Sequence, residues 1–354
     1  MLKSCAVSRL CRPLCSSLSL SSPNSLCLKP QVPLFLRPPI YSTRLSDLRK
    51  WHDWAKSLAS SIGSTFERLD NGPDSSHLCR ELKWLMEDAV EDHSLLHQMG
   101  VESDRRVKTR ADLEELYNLW KQRIEERRPF QYIVGCEHWR DLVLSVQEGV
   151  LIPRPETELI VDLVCDAVSK NEVLKGGIWA DLGTGSGALA IGICKILGSG
   201  GRLIATDLSA AAVAVAAYNV QRYSLQDIIE LREGSWFKPL DDVEGKLAGL
   251  VSNPPYIPST DISGLQAEVS RHEPRLALDA GVDGMDALFH LCDGAVSFLK
   301  PGGFFAFETN GEKQCRALVD YMENNRSGSF CKLEIVPDFA GIQRFVTGYR
   351  RQAI

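Results

Sequence analysis

Several common features are missing from this 354-residue chain, and each absence excludes something. No apolar run approaches the roughly 18 residues a membrane-spanning helix needs, so no membrane partner is expected. None of the eleven cysteines stands in a CxxC spacing, which argues against a zinc ribbon or a thioredoxin-like site and favours reduced, scattered thiols. His93 and His97 are four apart on an expected helix, a spacing that can hold a metal, but no third candidate ligand lies nearby and no metal is expected. Acidic residues are absent until Asp47. The first 46 residues carry ten serines, six Lys or Arg and four cysteines, with no long apolar segment after the basic start. That is the composition of an organellar transit peptide rather than of a secretory signal. Pro13, Pro23, Pro30, Pro33, Pro38 and Pro39 interrupt any long amphipathic helix there, which tilts the expectation from mitochondrion to plastid.

A basic excess is lacking too. Of 40 basic residues six fall in this leader, leaving 34 against 46 acidic ones, a net charge of −12. Such a body does not offer the positive field that binding to nucleic-acid phosphates requires, so a protein or small-molecule partner is expected.

What is present divides in three. Residues 47–127 read as a helical bundle, with apolar residues at helical spacing in "LCRELKWLMEDAV" and "ADLEELYNLWKQRIEER" and a break at Asp70-Asn71-Gly72-Pro73. Without a convergent polar cluster, the bundle is read as a docking domain. Residues 128–152, broken by Gly135 and Gly149, read as a hairpin linker. From 153 to 354 helices and strands alternate, the sign of a doubly wound α/β sheet. Its expected strands are "GIWADLG", "GRLIATDL", "IIELREG", "LAGLVSN", "GFFAFET", "KLEIVPD" and "QRFVTGYR".

Gly183-Thr184-Gly185-Ser186-Gly187 follows the first of these strands and opens an apolar helix. Glycines there let the backbone approach a ligand and aim free helix N-terminal amides at it. The pattern fits both the GxGxxA dinucleotide fingerprint and the GxGxG loop of S-adenosylmethionine enzymes. Asp207 ends the next strand, where a carboxylate can accept from ribose hydroxyls, and both cofactors have a ribose. The fourth strand decides. It ends in Asn253-Pro254-Pro255-Tyr256, at the edge where open parallel sheets bind ligands. The prolines stiffen the corner and leave a carbonyl without a local donor. The Asn253 oxygen and the Pro254 carbonyl suit the two hydrogens of a planar –NH2, on which Tyr256 can stack. Two accepted hydrogen bonds polarise and aim such a nitrogen at a sulfonium methyl.

With these residues in place the chain resembles the HemK-type glutamine methyltransferases that act on class 1 peptide-chain release factors. The resemblance runs from about Arg128 to Arg350 and is carried by "RPFQYIVGCEHW", "LIPRPETELIV", "DLGTGSGALAI", "GSWF", "VSNPPYIP", "HEPRLALDAGVDGMDAL" and "LKPGGFFAFE". It implies an α/β fold with a Rossmann-like seven-stranded sheet and a reversed last strand, behind a helical domain that grips the release factor. It implies S-adenosylmethionine held by Gly183, Thr184, Gly185, Ser186, Gly187, Asp207 and Asn253, with Trp236 against the adenine. Asn253, Pro254, Pro255 and Tyr256 would hold the glutamine of the Gly-Gly-Gln motif, and Arg154 and Glu156 would shape the entrance. "FETNGEKQ" departs from the family's "FEIG" form, with little expected effect on chemistry.

Two relatives of this chemistry compete. A nucleic-acid amino-methyltransferase acting on adenine or guanine shares "NPPY" but is expected to bring a basic face. The enzymes that modify a ribosomal-protein glutamine tend to depart from "RPETE". A nicotinamide dehydrogenase has no use for "NPPY", and a non-catalytic adaptor is expected to have lost the cofactor loop or Asn253. A monomer is expected for an enzyme that must grip a large protein.

Overall fold

The computed structural model describes residues 30–98 and 104–352. The chain enters through strand β1 (Tyr41–Arg44), which pairs antiparallel with β2 (Arg106–Thr109). Between and after them lie helices α1 (Leu45–Ile62), α2 (Thr65–Asp70), α3 (Ser75–Ala89) and α4 (Leu113–Glu125). In α1 the residues Leu45, Leu48, Trp51, Ala55 and Ala59 recur three and four apart, and all are buried. Asp74 and Asp112 cap α3 and α4, each accepting from the third amide beyond it at 2.8 Å.

The expected extent of the leader, residues 1–46, is corrected here for residues 30–46. Leu34 is fully buried in the helical core, Gln31 exchanges hydrogen bonds with Gln147 and Ser145, and residues 41–44 form β1. The composition of residues 30–46 looked like a leader because Pro and Ser are as compatible with a capping strap as with disorder. At its other end the helical core also takes Ile133, Val134 and Cys136, beyond the expected boundary at 127. His93–Gln98 forms a 3-10 helix, not the α-helix expected around His93.

The linker contains a short helix α5 (Phe130–Val134) and the hairpin of β3 (Cys136–Trp139) and β4 (Leu142–Ser145). Then come α6 (Glu158–Lys170), β5 (Ile178–Leu182), α7 (Ala188–Leu197), β6 (Arg202–Asp207), α8 (Ala210–Arg222), β7 (Ile229–Glu233) and β8 (Leu247–Ser252). The chain closes with α9 (Ala267–His272), α10 (Asp286–Phe298), β9 (Leu299–Glu308), α11 (Glu312–Asn324), β10 (Phe330–Pro337) and β11 (Gln343–Arg350). Seven strands form one sheet in the order β10-β11-β9-β8-β5-β6-β7. Pairs from β9 to β7 are parallel, whereas β11 runs antiparallel to both β9 and β10, which is the reversed last strand the resemblance implies.

Parallel strands buried on both faces are nearly continuous apolar runs, and all six residues of β8, the terminal Ser252 included, are buried. One face packs on α6 and α7 through Val161, Val164 and Ile191, the other on α10 and α11 through Leu288, Leu291 and Leu318. Buried ion pairs join the helical unit to this body. Glu268 of α9 accepts from Arg123 at 3.0 Å and from Arg127 at 2.7 and 2.6 Å, while Glu81 holds Arg123 from the other side at 2.6 and 3.0 Å. No described helix is long and apolar enough to cross a membrane.

Candidate active site at the switch point of the sheet

From β5 the chain lays β6 and β7 on one side and then crosses to lay β8 and β9 on the other. The carboxyl ends of β5 and β8 therefore diverge into a crevice, the place where such sheets bind ligands. A cleft of about 510 Å³ lies there, within the roughly 300–1,000 Å³ usual for small-molecule sites.

One end of the cleft is backbone. Gly183, Gly185 and Gly187 have φ of 76°, 55° and 85°, left-handed values that glycine adopts without steric cost. The amides of Gly183 and Thr184 both donate to the Thr206 carbonyl at 2.9 Å, which pins the loop across the end of β6. A side chain at Gly185 would meet no protein atom within 4 Å, so the loop's open side faces ligand space. Gly187, expected to touch cofactor, does not line the cleft; a Cβ there would lie 3.4 Å from Ala216, and its role is to let α7 start against α8. Asp207 accepts from the Gly185 amide at Oδ2 and from the Ser209 amide at Oδ1, both at 2.9 Å. Burial raises its pKa, and the amides of Ser209, Gly185 and Leu208 oppose that rise. Each of its oxygens keeps a lone pair for a hydroxyl. The Ser186 hydroxyl, buried on the cleft wall, has no hydrogen-bond partner among the described residues. An open glycine cradle, a fixed carboxylate and an orphaned hydroxyl fit a nucleoside cofactor with a charged tail.

Trp236 forms the adjoining wall with His290, ring centroids 6.0 Å apart. Its φ of 51° is costly for a bulky residue, and the residue lines the cleft.

The other end is made of side chains. Ser252 Oγ donates to the Leu182 carbonyl at 2.6 Å and ties the end of β8 to that of β5. Asn253 and Pro255 line the cleft, whereas Pro254 and Tyr256, expected to hold the glutamine with them, do not. Asn253 Nδ2 donates to Thr157 Oγ1 at 3.0 Å, Thr157 Oγ1 donates to Glu308 Oε2 at 2.7 Å, and the Tyr256 hydroxyl donates to Glu308 Oε1 at 3.2 Å. Among the described residues the Pro254 carbonyl takes part in no hydrogen bond. Burial raises the Tyr256 pKa strongly, and the nearby Glu308 carboxylate raises it further. Burial also pushes Glu308 up to about 7.

The segment after "NPPY" is stitched to a second stretch of chain. Ile257 donates to the Leu278 carbonyl and accepts from the Ala280 amide, both at 3.0 Å, and Ser259 Oγ donates to Asp279 at 2.6 Å. Gly284 must be glycine: its φ is 70° and a Cβ would fall 2.4 Å from the Tyr256 carbonyl. This wrap explains the block "HEPRLALDAGVDGMDAL", whose Leu276, Asp279, Gly281 and Asp286 line the cleft.

Arg154 and Glu156 do not line the cleft. Arg154 donates to Glu273 at 2.7 Å and to the Ile152 carbonyl at 3.1 Å, beside a second cavity of about 460 Å³ between the helical unit and α9. Glu156 is close enough to Glu308 and Tyr256 to raise both. The reading of the sequence missed Thr157, Glu308 and His290. Glu308 had a signal: it is the one charged residue in "GFFAFE", at the same sheet edge as Asp207 and Asn253. The departure of "FETNGEKQ" from "FEIG" leaves Glu308 in place, and Glu308 holds Thr157 and Tyr256. The residue that departs from the family form, Thr309, bonds instead to the Arg344 carbonyl and to Cys315.

A family model described as methyltransferase small domain matches residues 160–268. The chain is 36% identical over 304 residues to the release factor glutamine methyltransferase of Synechocystis sp., covering 85% of this chain and 95% of that relative. The enzyme of the same name from Thermosynechococcus vestitus is 36% identical over 302 residues, covering 84% and 97%. That from Gloeobacter violaceus is 42% identical over 239 residues, covering 68% and 80%. Among solved structures, the hMettl16 catalytic domain in complex with MAT2A 3′UTR hairpin 6 is similar over 80% of this chain and 95% of its own, at 14% identity and a TM-score of 0.49.

Proposed function

The chain belongs to the release factor glutamine methyltransferase family, and from that premise we propose that its acceptor is the glutamine of the Gly-Gly-Gln motif in an organellar class 1 release factor. It is an enzyme, an S-adenosylmethionine-dependent protein-glutamine N-methyltransferase with the α/β fold of that class. The observation that carries the finer reading is the acceptor corner. Asn253 donates one of its two Nδ2 hydrogens to Thr157, and among the described residues neither its oxygen nor the adjacent Pro254 carbonyl accepts a hydrogen bond.

When bound, S-adenosylmethionine supplies an electrophilic methyl on a sulfonium; Gly183, Thr184, Gly185, Ser186, Asp207 and Trp236 are the residues that would hold it. The chain's own work is positioning. Two acceptors take the two hydrogens of the glutamine –NH2, fix its plane and increase the electron density on nitrogen. Tyr256 backs the corner and Pro255 walls it. The amide nitrogen so held would face the methyl of the bound cofactor and would give up one proton to solvent once methylated. No strong base is required, and holding two reactants in line accounts for most of such catalysis.

The enzyme acts as a monomer on a protein rather than on nucleic acid in this reading, consistent with its acidic body. Its organellar address, plastid before mitochondrion, rests on the basic, serine-rich composition of residues 1–46 and on their six prolines. Residues 1–29 lie outside the described ones, whereas residues 30–46 carry the buried Leu34 and β1.

The test is methyl transfer from labelled S-adenosylmethionine by the full chain to four acceptors: an organellar release factor, its Gly-Gly-Ala variant, duplex DNA and structured RNA. Label on the intact factor alone is the expected result. Label on the variant or on nucleic acid overturns the choice of acceptor.

A further inference from the structure

Resting on that reading, we propose that Glu308 is a positioning residue that sets which way the Asn253 amide faces, acting through the hydroxyl of Thr157. Glu308 is fully buried and Thr157 nearly so, so water does not exchange these partners. A carboxylate only accepts. Thr157 has one hydrogen, and it goes to Glu308 Oε2 at 2.7 Å. The Thr157 oxygen then offers only lone pairs, and the group that meets it at 3.0 Å has to be a donor, Asn253 Nδ2. The Asn253 oxygen is thereby aimed away from Thr157, toward the cleft that the residue lines. With the amide turned over, its oxygen would face lone pairs and its –NH2 would face the substrate –NH2, losing both hydrogen bonds. The other oxygen of the same carboxylate accepts from Tyr256 at 3.2 Å, so one charge orients both polar members of the corner.

The device has a built-in pH dependence. The groups around the carboxyl are Glu156 and Thr157 before α6, Tyr256 in the loop after β8, and Arg344 on β11, itself bonded to Asp338. Burial foremost, then Glu156, raise the carboxyl, against Thr157, Tyr256 and Arg344, to about 7. Once protonated, Glu308 can donate to Thr157, whose freed hydrogen can turn to the Asn253 oxygen and reverse the amide. Methyl transfer is expected to rise as pH rises through about 7.

The experiment measures kcat, KM for a release factor and S-adenosylhomocysteine affinity for the full chain and for Glu308→Gln, Thr157→Val and Thr157→Ser, from pH 5.5 to 9. Glutamine keeps the shape but brings a donor to the position. Glu308→Gln is expected to lower kcat by about 10- to 100-fold with cofactor affinity within about threefold, and to lose the pH limb. Thr157→Val is expected to fall comparably and Thr157→Ser to recover most of that loss, since serine restores the relay hydroxyl. Glu308→Gln within about twofold of the parent with its limb intact, or Val and Ser equally affected at Thr157, overturns the inference alone. A parent chain that transfers no methyl to the release factor overturns the functional reading and this inference with it. Should Glu308→Gln fail to bind cofactor, the Thr157 pair decides.

Discussion

The two ends of the cleft are made of different material. At the cofactor end, two left-handed glycines, Gly183 and Gly185, with Thr184 and one carboxylate form the surface, and the acceptors of their amides, Thr206 and Asp207, both lie at the end of β6. At the acceptor end, the surface is the tip of a relay in which Asn253, Thr157, Glu308 and Tyr256 come from three separate places in the chain, up to 151 residues apart. A backbone cradle can bind but discriminates little between ground and transition state. A relay of side chains fixes direction, and direction is what raises kcat. The difference teaches that binding and chemistry are separable here by mutation.

Replacing Asn253 by Ala tests that separation most severely. Methyl transfer is expected to fall by about 100-fold or more, roughly 2.7 kcal/mol, with S-adenosylhomocysteine affinity within about threefold. Single-turnover transfer and calorimetry on one preparation check it; equal loss of both would show that the two ends act as one.

Stability gives a second, smaller handle on the acceptor end. Glu308 has its folded pKa raised from 4.5 to about 7, so the folded state holds this proton more tightly than the unfolded chain. Its contribution to stability is whole below pH 4.5 and is lost as pH rises to about 7. Glu308→Gln removes that dependence. The variant is expected to gain on the parent between pH 5 and pH 8, on the order of 2 kcal/mol, while losing activity. Denaturant unfolding at both pH values measures it. A variant less stable than the parent at pH 8 would mean the relay is needed for folding as well.

The smallest expected effect belongs to the cofactor end. Asp207→Ala removes the acceptor offered to a ribose and frees the Gly185 amide it holds at 2.9 Å. Cofactor affinity is expected to fall about tenfold, near 1.4 kcal/mol, with kcat at saturating cofactor within about threefold. A loss in kcat as large as that of Asn253→Ala would erase the contrast between the two ends.

The four acceptor residues also mark how far the sequence could be read. Asn253 and Tyr256 stand in one tetrapeptide at a strand end, and stiff prolines made their placement at the sheet edge legible without coordinates. Thr157 was hidden inside "RPETE", where Arg154 and Glu156 drew attention because charge is the more visible signal. The structure puts Arg154 on Glu273, away from the cleft. Glu308 was visible as a charge ending an apolar strand, yet its partners were not.

The sequence by itself determined the alternation of elements, the glycine turn, the acidic end of β6 and the corner after β8. Each of these depends on local rules: side-chain period, left-handed φ and the missing amide of proline. The tertiary structure alone decided that residues 30–46 belong to the body, that α9 locks the helical unit through Glu268, and that Thr157 and Glu308 stand behind Asn253. Those contacts join chain segments far apart in sequence. Their energy comes from burying polar groups that must then find partners, and which partners are within reach depends on strand order rather than on any local pattern.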